Sequence, residues 1–509
     1  MIKLIISACL LFIFRSVAFS GENDNELFVD ETLQLQQRLG ILGLAGVIVE
    51  NGKIIKSFSS GIAGDSDQNP FTENTPIEVA SITKALTAVL IKQAAERGEL
   101  RYGDFISQFD PTYNTSISPY SRTDEGPPDI SVHNIVTHTS EGLPGEDFVY
   151  SSSRYQLLAT ALEDATNQNF KDLMSARILN PAGMIEYSSP NLEANNGLVT
   201  SANELAKFAI ALDKENILDL SQQIDLCEPV TNMKGDVLPI GLGMFSQEIL
   251  NFRVCWSYGQ GENSSAILVR LPREKVTLII VANSNALTDP FRLFMAKIQR
   301  SPFVMNFIRY LVAKTNKSEP LPKLNFGLQS DELKVQIKKL NKKFDYPYEE
   351  DLINELLVRR WLKQNSSEEI AHLIISEFPN AIKEDGVIQF ALQQMHNPFF
   401  MYSSIEIGET LVKKYPLNRW YLYVLANAYL KTGNFEKAAL SYERINSLPN
   451  QNSDPLFREL FLLDSKLELA NIYMKTKRQR ARKLLTEILK LDVPVQARLN
   501  AQKLLAELE

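Results

Sequence analysis

The sequence predicts a mixed α/β half followed by an all-helical half, and three observations carry that reading. Between about residues 40 and 300, short β-branched runs alternate with helix-patterned stretches and Gly/Pro punctuation. The composition shifts near 315, where KTNKSEPLPKLNFG is rich in Pro, Lys and Asn and reads as a linker over 315–330. Beyond it the apolar residues keep helical spacing, with little strand signal. A length of 509 residues allows two or three domains, each with its own core.

At the N-terminus, Lys3 precedes an apolar run from Leu4 to Phe14, then Arg15 and the small-x-small step Ala18-Phe19-Ser20. This reads as a signal peptide over 1–20, cleaved after Ser20. The run falls short of the roughly 20 residues that a bilayer span needs. Cys9 lies too early in it for a lipoprotein signal. Secretion to a bacterial periplasm is the expectation. In an oxidising compartment Cys227 and Cys255 can pair, although two buried thiols fit the spacing equally well.

LAGVIVENGKIIKSF reads as two strands joined by Asn51-Gly52, a strong hairpin signal. A long helix follows from about Ser81 and closes near Gly98. SSAILVRLP and KVTLIIVANSN read as central strands, and DPFRLFMAKIQR returns to helical spacing. In the second half, prolines 379, 416 and 449 end successive helical segments. Leu422, Ala426, Tyr429, Gly433, Phe435, Ala438, Tyr442 and Pro449 fall close to the tetratricopeptide pattern, and Ala470 and Tyr473 repeat part of it. The division is therefore 27–314 for the first domain, a linker over 315–330, and a helical-repeat domain over 331–509. The repeats imply a possible protein partner.

Charged residues at 22% and hydrophobic ones at 44% describe a soluble globular chain. A net charge of −8 gives no general attraction for nucleic acid or anionic lipid. The one basic run, Lys477, Arg478, Arg480, Arg482 and Lys483, reads as a solvated helix face. There is no HExxH or CxxC and no ligand-spaced cluster, so neither a metal nor a cofactor is implied.

Chemistry enters with PIEVASITKALTAVL, where Ser81 and Lys84 stand three apart. On a helix they share a face, so the amine can reach the hydroxyl. A serine needs a base to become a nucleophile, and a lysine can serve once burial lowers its pKa. Such pairs also occur by chance, so the company of this one matters.

EVASITKALTAVLI, ISVHNIVTHTSEGLP, FVYSSSRYQLLATALE, GLVTSANELAKFAIAL, IGLGMF and LPREKVTLIIVANSN occur in that order over roughly residues 35 to 300. Together they resemble the serine β-lactamase and penicillin-binding-protein family, in its class C β-lactamase, esterase and D-aminopeptidase branch. The resemblance implies an α+β, β-lactamase-like fold: an antiparallel sheet flanked by helices, with an all-helical subdomain. It implies Ser81 as nucleophile, with Lys84 and Tyr150 sharing its proton.

The chain departs from the family in places. Ser152 stands where the family usually has Asn, and Glu141 is an extra residue. The third motif, usually Lys-Thr-Gly or His-x-Gly, falls on Ser257-Tyr258-Gly259, or on Gln260 in a second register. Neither register supplies the basic side chain that holds a substrate carboxylate in the family, although Arg253 is close in sequence. Backbone N–H groups of Ser81 and Gln260 are the expected oxyanion hole. His133 and His138 read as structural hydrogen-bonding residues.

The expected function is a secreted hydrolase that cleaves a small-molecule or peptide amide or ester through an acyl-enzyme on Ser81. The absent third-motif base favours an esterase or peptidase over a β-lactamase. The alternative is a catalytically decayed module that binds a ligand or partner.

Overall fold

The computed structural model describes residues 21–64, 68–110, 129–141, 143–185, 189–316, 321–378, 401–414, 416–448, 462–490 and 495–508. The signal-peptide reading over 1–20, and Pro379 and Pro449, lie outside these residues.

One six-stranded sheet organises the first half. Its strands are β1 (Gly43–Glu50), β2 (Lys53–Gly61), β5 (Phe245–Ile249), β6 (Phe252–Gln260), β7 (Ser265–Leu271) and β8 (Val276–Ala282). They lie in the order β2-β1-β8-β7-β6-β5, and every neighbouring pair is antiparallel. A separate two-stranded ribbon pairs β3 (Ile77–Glu78) with β4 (Val199–Thr200). The Asn51-Gly52 turn forms as expected, with φ of 49° and 72°, the left-handed pair that a tight hairpin needs. β7 and β8 are buried along their whole length, so both faces of the sheet are covered.

The two-residue period of the strands sorts side chains between two cores. Leu44, Ile48, Ile267, Val269, Leu278 and Ile280 face one core, together with Phe28 of helix α1 (Gly21–Arg38) and Phe303 and Phe307 of the helix Pro302–Asn316. Ala45, Val47, Val49, Leu268, Ile279 and Val281 face the other. There they meet helix α2 (Thr83–Glu96), the helix Leu157–Thr166 and the helix Ala202–Asp213. Each of the valines, leucines, isoleucines and phenylalanines among them contributes about 1.5–3 kcal/mol by leaving water. α2 is buried on nearly every side from Thr83 to Ala94, which makes it the axis of the helical subdomain.

DPFRLFMAKIQR departs from its helical reading. It forms successive 3-10 turns, Asp289–Phe291, Leu293–Met295 and Ile298–Arg300. Arg292 and Ala296, at φ of 46° and 59°, break the right-handed path between them. The regular helix starts only at Pro302, where a proline fits the first turn. Cys227 and Cys255 are joined as a disulfide, settling the alternative that the spacing left open. It ties the helix Leu220–Cys227 to β6.

Behind the sheet, the first core continues past residue 314. Leu333, Ile337, Tyr348, Leu352 and Leu356 belong to it, from the helices Ser330–Lys343 and Tyr348–Trp361. Arg38 of α1 grips Glu355 with two bonds of 2.7 and 2.6 Å, and Arg359 joins the same carboxylate at 2.7 Å. Further along, the paired helices Arg419–Lys431 and Phe435–Ser447 bury Leu422, Ala426, Tyr429, Ala438 and Tyr442 in a third core, whereas Phe435 is 56% exposed.

Candidate active site

The polypeptide approaches α2 through a one-turn 3-10 helix, Ala80–Ile82, which carries Ser81. Ala80 has φ of +44°, a conformation that costs a non-glycine residue about 1 kcal/mol or more. The turn is held by Ile82 N–H on Val79 O at 3.1 Å and by the Thr83 hydroxyl on Ala80 O at 2.7 Å.

Lys84 lies one turn along, nearly inaccessible, and its Nζ donates to Ser81 Oγ at 2.7 Å. It also donates to Ser152 Oγ and to the carbonyl of Asn195, both at 3.0 Å. No carboxylate offsets its charge, and burial draws its pKa down to about 7. An amine in that range can accept a proton near neutrality.

Tyr150 reaches the same serine from the loop that precedes the helix Leu157–Thr166. Its oxygen is hydrogen-bonded to Ser81 and Tyr258, and desolvation pushes its pKa up to about 12 against the opposing effect of those bonds. The loop is set by His138, whose Nδ1 accepts from Ser151 N–H at 3.2 Å and whose carbonyl accepts from Val149 N–H at 2.8 Å. The imidazole packs on Tyr150 at 4.6 Å between ring centres. Burial, and then the charge of Lys84, hold its pKa at about 3, so it stays neutral. Ser152 is steadied by Asn195, whose Nδ2 donates to Ser152 O at 3.1 Å.

β6 forms the opposite wall. β5 pairs only with Phe252 to Trp256, so β6 has a free edge from Ser257 onward on that side. Gly261 N–H bonds to Ser264 O across the hairpin to β7, so the preceding N–H, that of Gln260, points to the free edge. The turn bearing Ser81 packs against this edge at Gly259. A Cβ there would lie 2.0 Å from Val79 O, so only glycine permits the approach.

Ser81, Lys84, Tyr150, Ser152 and Tyr258 are thus brought together, with Gly259 as the contact surface. Strand alternation places buried Ser257 on the face opposite Tyr258, the face of Cys255 and Gly259 that is turned towards the Ser81 turn and α2. Gln260 turns its side chain to Asp289 at 3.2 Å and offers the site only its backbone. Arg253 lies against Glu248 at 3.5 Å. Sequence reasoning placed Tyr258 in the third motif but missed Asn195 and the contact of Tyr258 with Tyr150. The strand period, applied to the aromatic pair Trp256 and Tyr258, was a partial signal. Among the described residues, no group of three or more His, Cys, Asp or Glu side chains is placed to hold a metal ion.

This arrangement can deprotonate a hydroxyl, stabilise an oxyanion and return a proton to a leaving group. The family model described as Beta-lactamase matches residues 29–297. A β-lactamase of Pseudomonas fluorescens is 34% identical over 117 residues, which is 23% of this chain and 30% of that protein. Protein flp of Staphylococcus aureus (strain N315) is 26% identical over 192 residues, 33% of this chain and 39% of that one. The chain thus spans well under half the length of these curated relatives. Similar solved structures include an octameric penicillin-binding protein homologue from Pyrococcus abyssi, at TM-score 0.47 and 17% identity over 62% of this chain and 81% of that one. A β-lactamase/D-alanine carboxypeptidase from Pseudomonas syringae follows at TM-score 0.43 and 18% identity, covering 52% and 94%. On the match over residues 29–297, the chain belongs to the Beta-lactamase family and has its fold, with a helical region after it.

Proposed function

We propose that the protein is a secreted serine hydrolase that cleaves an ester or amide through an acyl-enzyme on Ser81. The observation that carries this is the 2.7 Å contact between Lys84 Nζ and Ser81 Oγ, made by an amine whose pKa burial has drawn to about 7. Ser81 Oγ attacks the carbonyl carbon, and its proton passes to Lys84 as the new C–O bond forms. The N–H groups of Ser81 and Gln260 receive the negative charge on the carbonyl oxygen. Tyr150 delivers a proton to the departing oxygen or nitrogen and is reprotonated from Lys84. Water then attacks the ester on Ser81, with the same groups taking its proton and returning it to Ser81.

Several parts of this reading go with it. Secretion to the periplasm rests on the N-terminal signal pattern, and no helix among the described residues is long and apolar enough to cross a membrane. The division into residues 27–314 and 331–509 rests on the composition shift near 315. A tetratricopeptide-like role for the C-terminal helices in binding a protein rests on the buried small and aromatic residues of their paired faces.

The second reading is a binding module without turnover. It is favoured by the replacements at two motifs, Ser152 and Ser257. A fluorophosphonate or penicillin probe followed by mass spectrometry separates the two. Label on the Ser81 peptide, absent in Ser81→Ala, supports the hydrolase; no label from any such probe supports the binder.

A further inference from the structure

The wall facing Tyr150 is aromatic. Tyr150 lies 5.8 Å from Phe245 and 5.8 Å from Tyr258 between ring centres, Phe245 stacks on Trp256 at 4.1 Å, and Phe148 closes the group at 5.9 Å from Phe245. Within this wall Tyr258 is buried, and its hydroxyl is hydrogen-bonded to that of Tyr150. At the rim stands a carboxylate. Asp289 accepts from Gln260 Nε2 at 3.2 Å, and its charge is felt at Tyr258.

The neighbouring cations among the described residues are already engaged. Arg154 sits on Glu141 at 3.1 Å and on the Ser140 carbonyl, and Arg292 lies 3.5 Å from Asp289. Arg253 is on Glu248, and Lys84 is committed to Ser81, Ser152 and Asn195. A substrate whose acyl part ends in a carboxylate would therefore lose its water against aromatic rings and Asp289, without an unengaged cation among the described residues to receive it. An uncharged acyl part pays no such penalty.

We propose that Tyr258 is a specificity-determining residue which restricts the site to acyl donors without negative charge. It fills the place opposite Tyr150 with a neutral ring while its hydroxyl holds the Tyr150 oxygen over Ser81. This rests on the Ser81 acyl-enzyme reading and deepens it by naming the substrate class.

The test compares two esters with one leaving group, para-nitrophenyl butyrate and mono-para-nitrophenyl glutarate, on the full chain. The expected kcat/KM is at least about tenfold higher for the butyrate. Tyr258→Lys narrows that ratio, chiefly through a lower KM for the glutarate. Tyr258→Phe, isosteric and uncharged, keeps the ratio and lowers kcat for both esters alike, because only the bond to Tyr150 is lost. Equal wild-type rates on the two esters, or a ratio that collapses in Tyr258→Phe, overturn the proposal while leaving the hydrolase reading intact. If neither ester is cleaved and Ser81 takes no label, the hydrolase reading falls and this proposal falls with it.

Discussion

Lys84 and Ser81 are bonded at 2.7 Å, in a spot where burial rather than any neighbouring cation depresses the amine. Only the unprotonated amine can take the serine proton. kcat/KM should therefore climb with the slope of one proton up to about pH 7 and then level off. Tyr150, pushed up to about 12, stays protonated across that plateau. A pH–rate profile on a neutral para-nitrophenyl ester checks both limbs. A profile flat from pH 5 to 9 would remove Lys84 from the role of base.

The same depression makes Lys84 a stability liability with a definite pH window. In the unfolded chain the lysine keeps its proton up to its ordinary value of 10.5, whereas in the folded chain it loses it near 7. Between those limits the unfolded state binds more protons, so the wild-type protein gains stability as pH rises. Lys84→Met should be more stable than wild type at pH 7, less whatever its three lost hydrogen bonds contribute. The gap should shrink by about 1.4 kcal/mol per pH unit towards 10. Urea melts of both proteins at three pH values measure the slope.

Gly259→Ala places a methyl 2.0 Å from the Val79 carbonyl, which is backbone and cannot turn aside. β6 and the Ser81 turn must separate. The expected result is a loss of about 1–3 kcal/mol of stability. Activity on the ester should fall by about a hundredfold through the displaced oxyanion donor. Melting curves and kcat, read together, distinguish this from a purely structural defect, because the folded variant should stay slow.

The Cys227–Cys255 bridge closes a segment of 28 residues. Loop-closure entropy for that length predicts a loss of about 3–4 kcal/mol on replacing both by serine. The bridge anchors β6 two residues before Ser257, so ester hydrolysis should weaken as well. Paired melts with and without a reductant, after prior unfolding to expose the buried sulfurs, test the stability part.

Simple esters should turn over faster than penicillins, since penicillins carry a carboxylate and no unengaged cation stands opposite it among the residues described around Ser81. Steady-state rates on a short-chain ester and on benzylpenicillin decide the ranking. A faster penicillin would show that the third motif is a poor guide to substrate.

The sequence made the architecture legible wherever one physical signal sufficed. The Asn51-Gly52 hairpin, the buried runs of β7 and β8 and the glycine stop after α2 each rest on a local rule. The meeting of Ser81 with Lys84 was equally readable, because helix spacing brings them together without help from elsewhere. Asn195 was not readable: it reaches Lys84 across 111 residues and does so with its backbone carbonyl, which any residue possesses. Motif spacing placed Tyr258 in the third motif, but its contact with Tyr150, far away in sequence, is set by packing that no local rule reveals. The turns over 289–300 mimicked a helix in composition, and only their left-handed residues broke it.

The grip of Arg38 on Glu355 joins the first helix to one more than 300 positions later, and apolar side chains from both lie in the same interior. Cutting the gene at the compositional boundary would strip that cover from Phe28, Phe303 and their neighbours. The truncated front half should then be less soluble than the whole chain. Part of the span after residue 330 thus serves as the rear wall of the β-lactamase-like half.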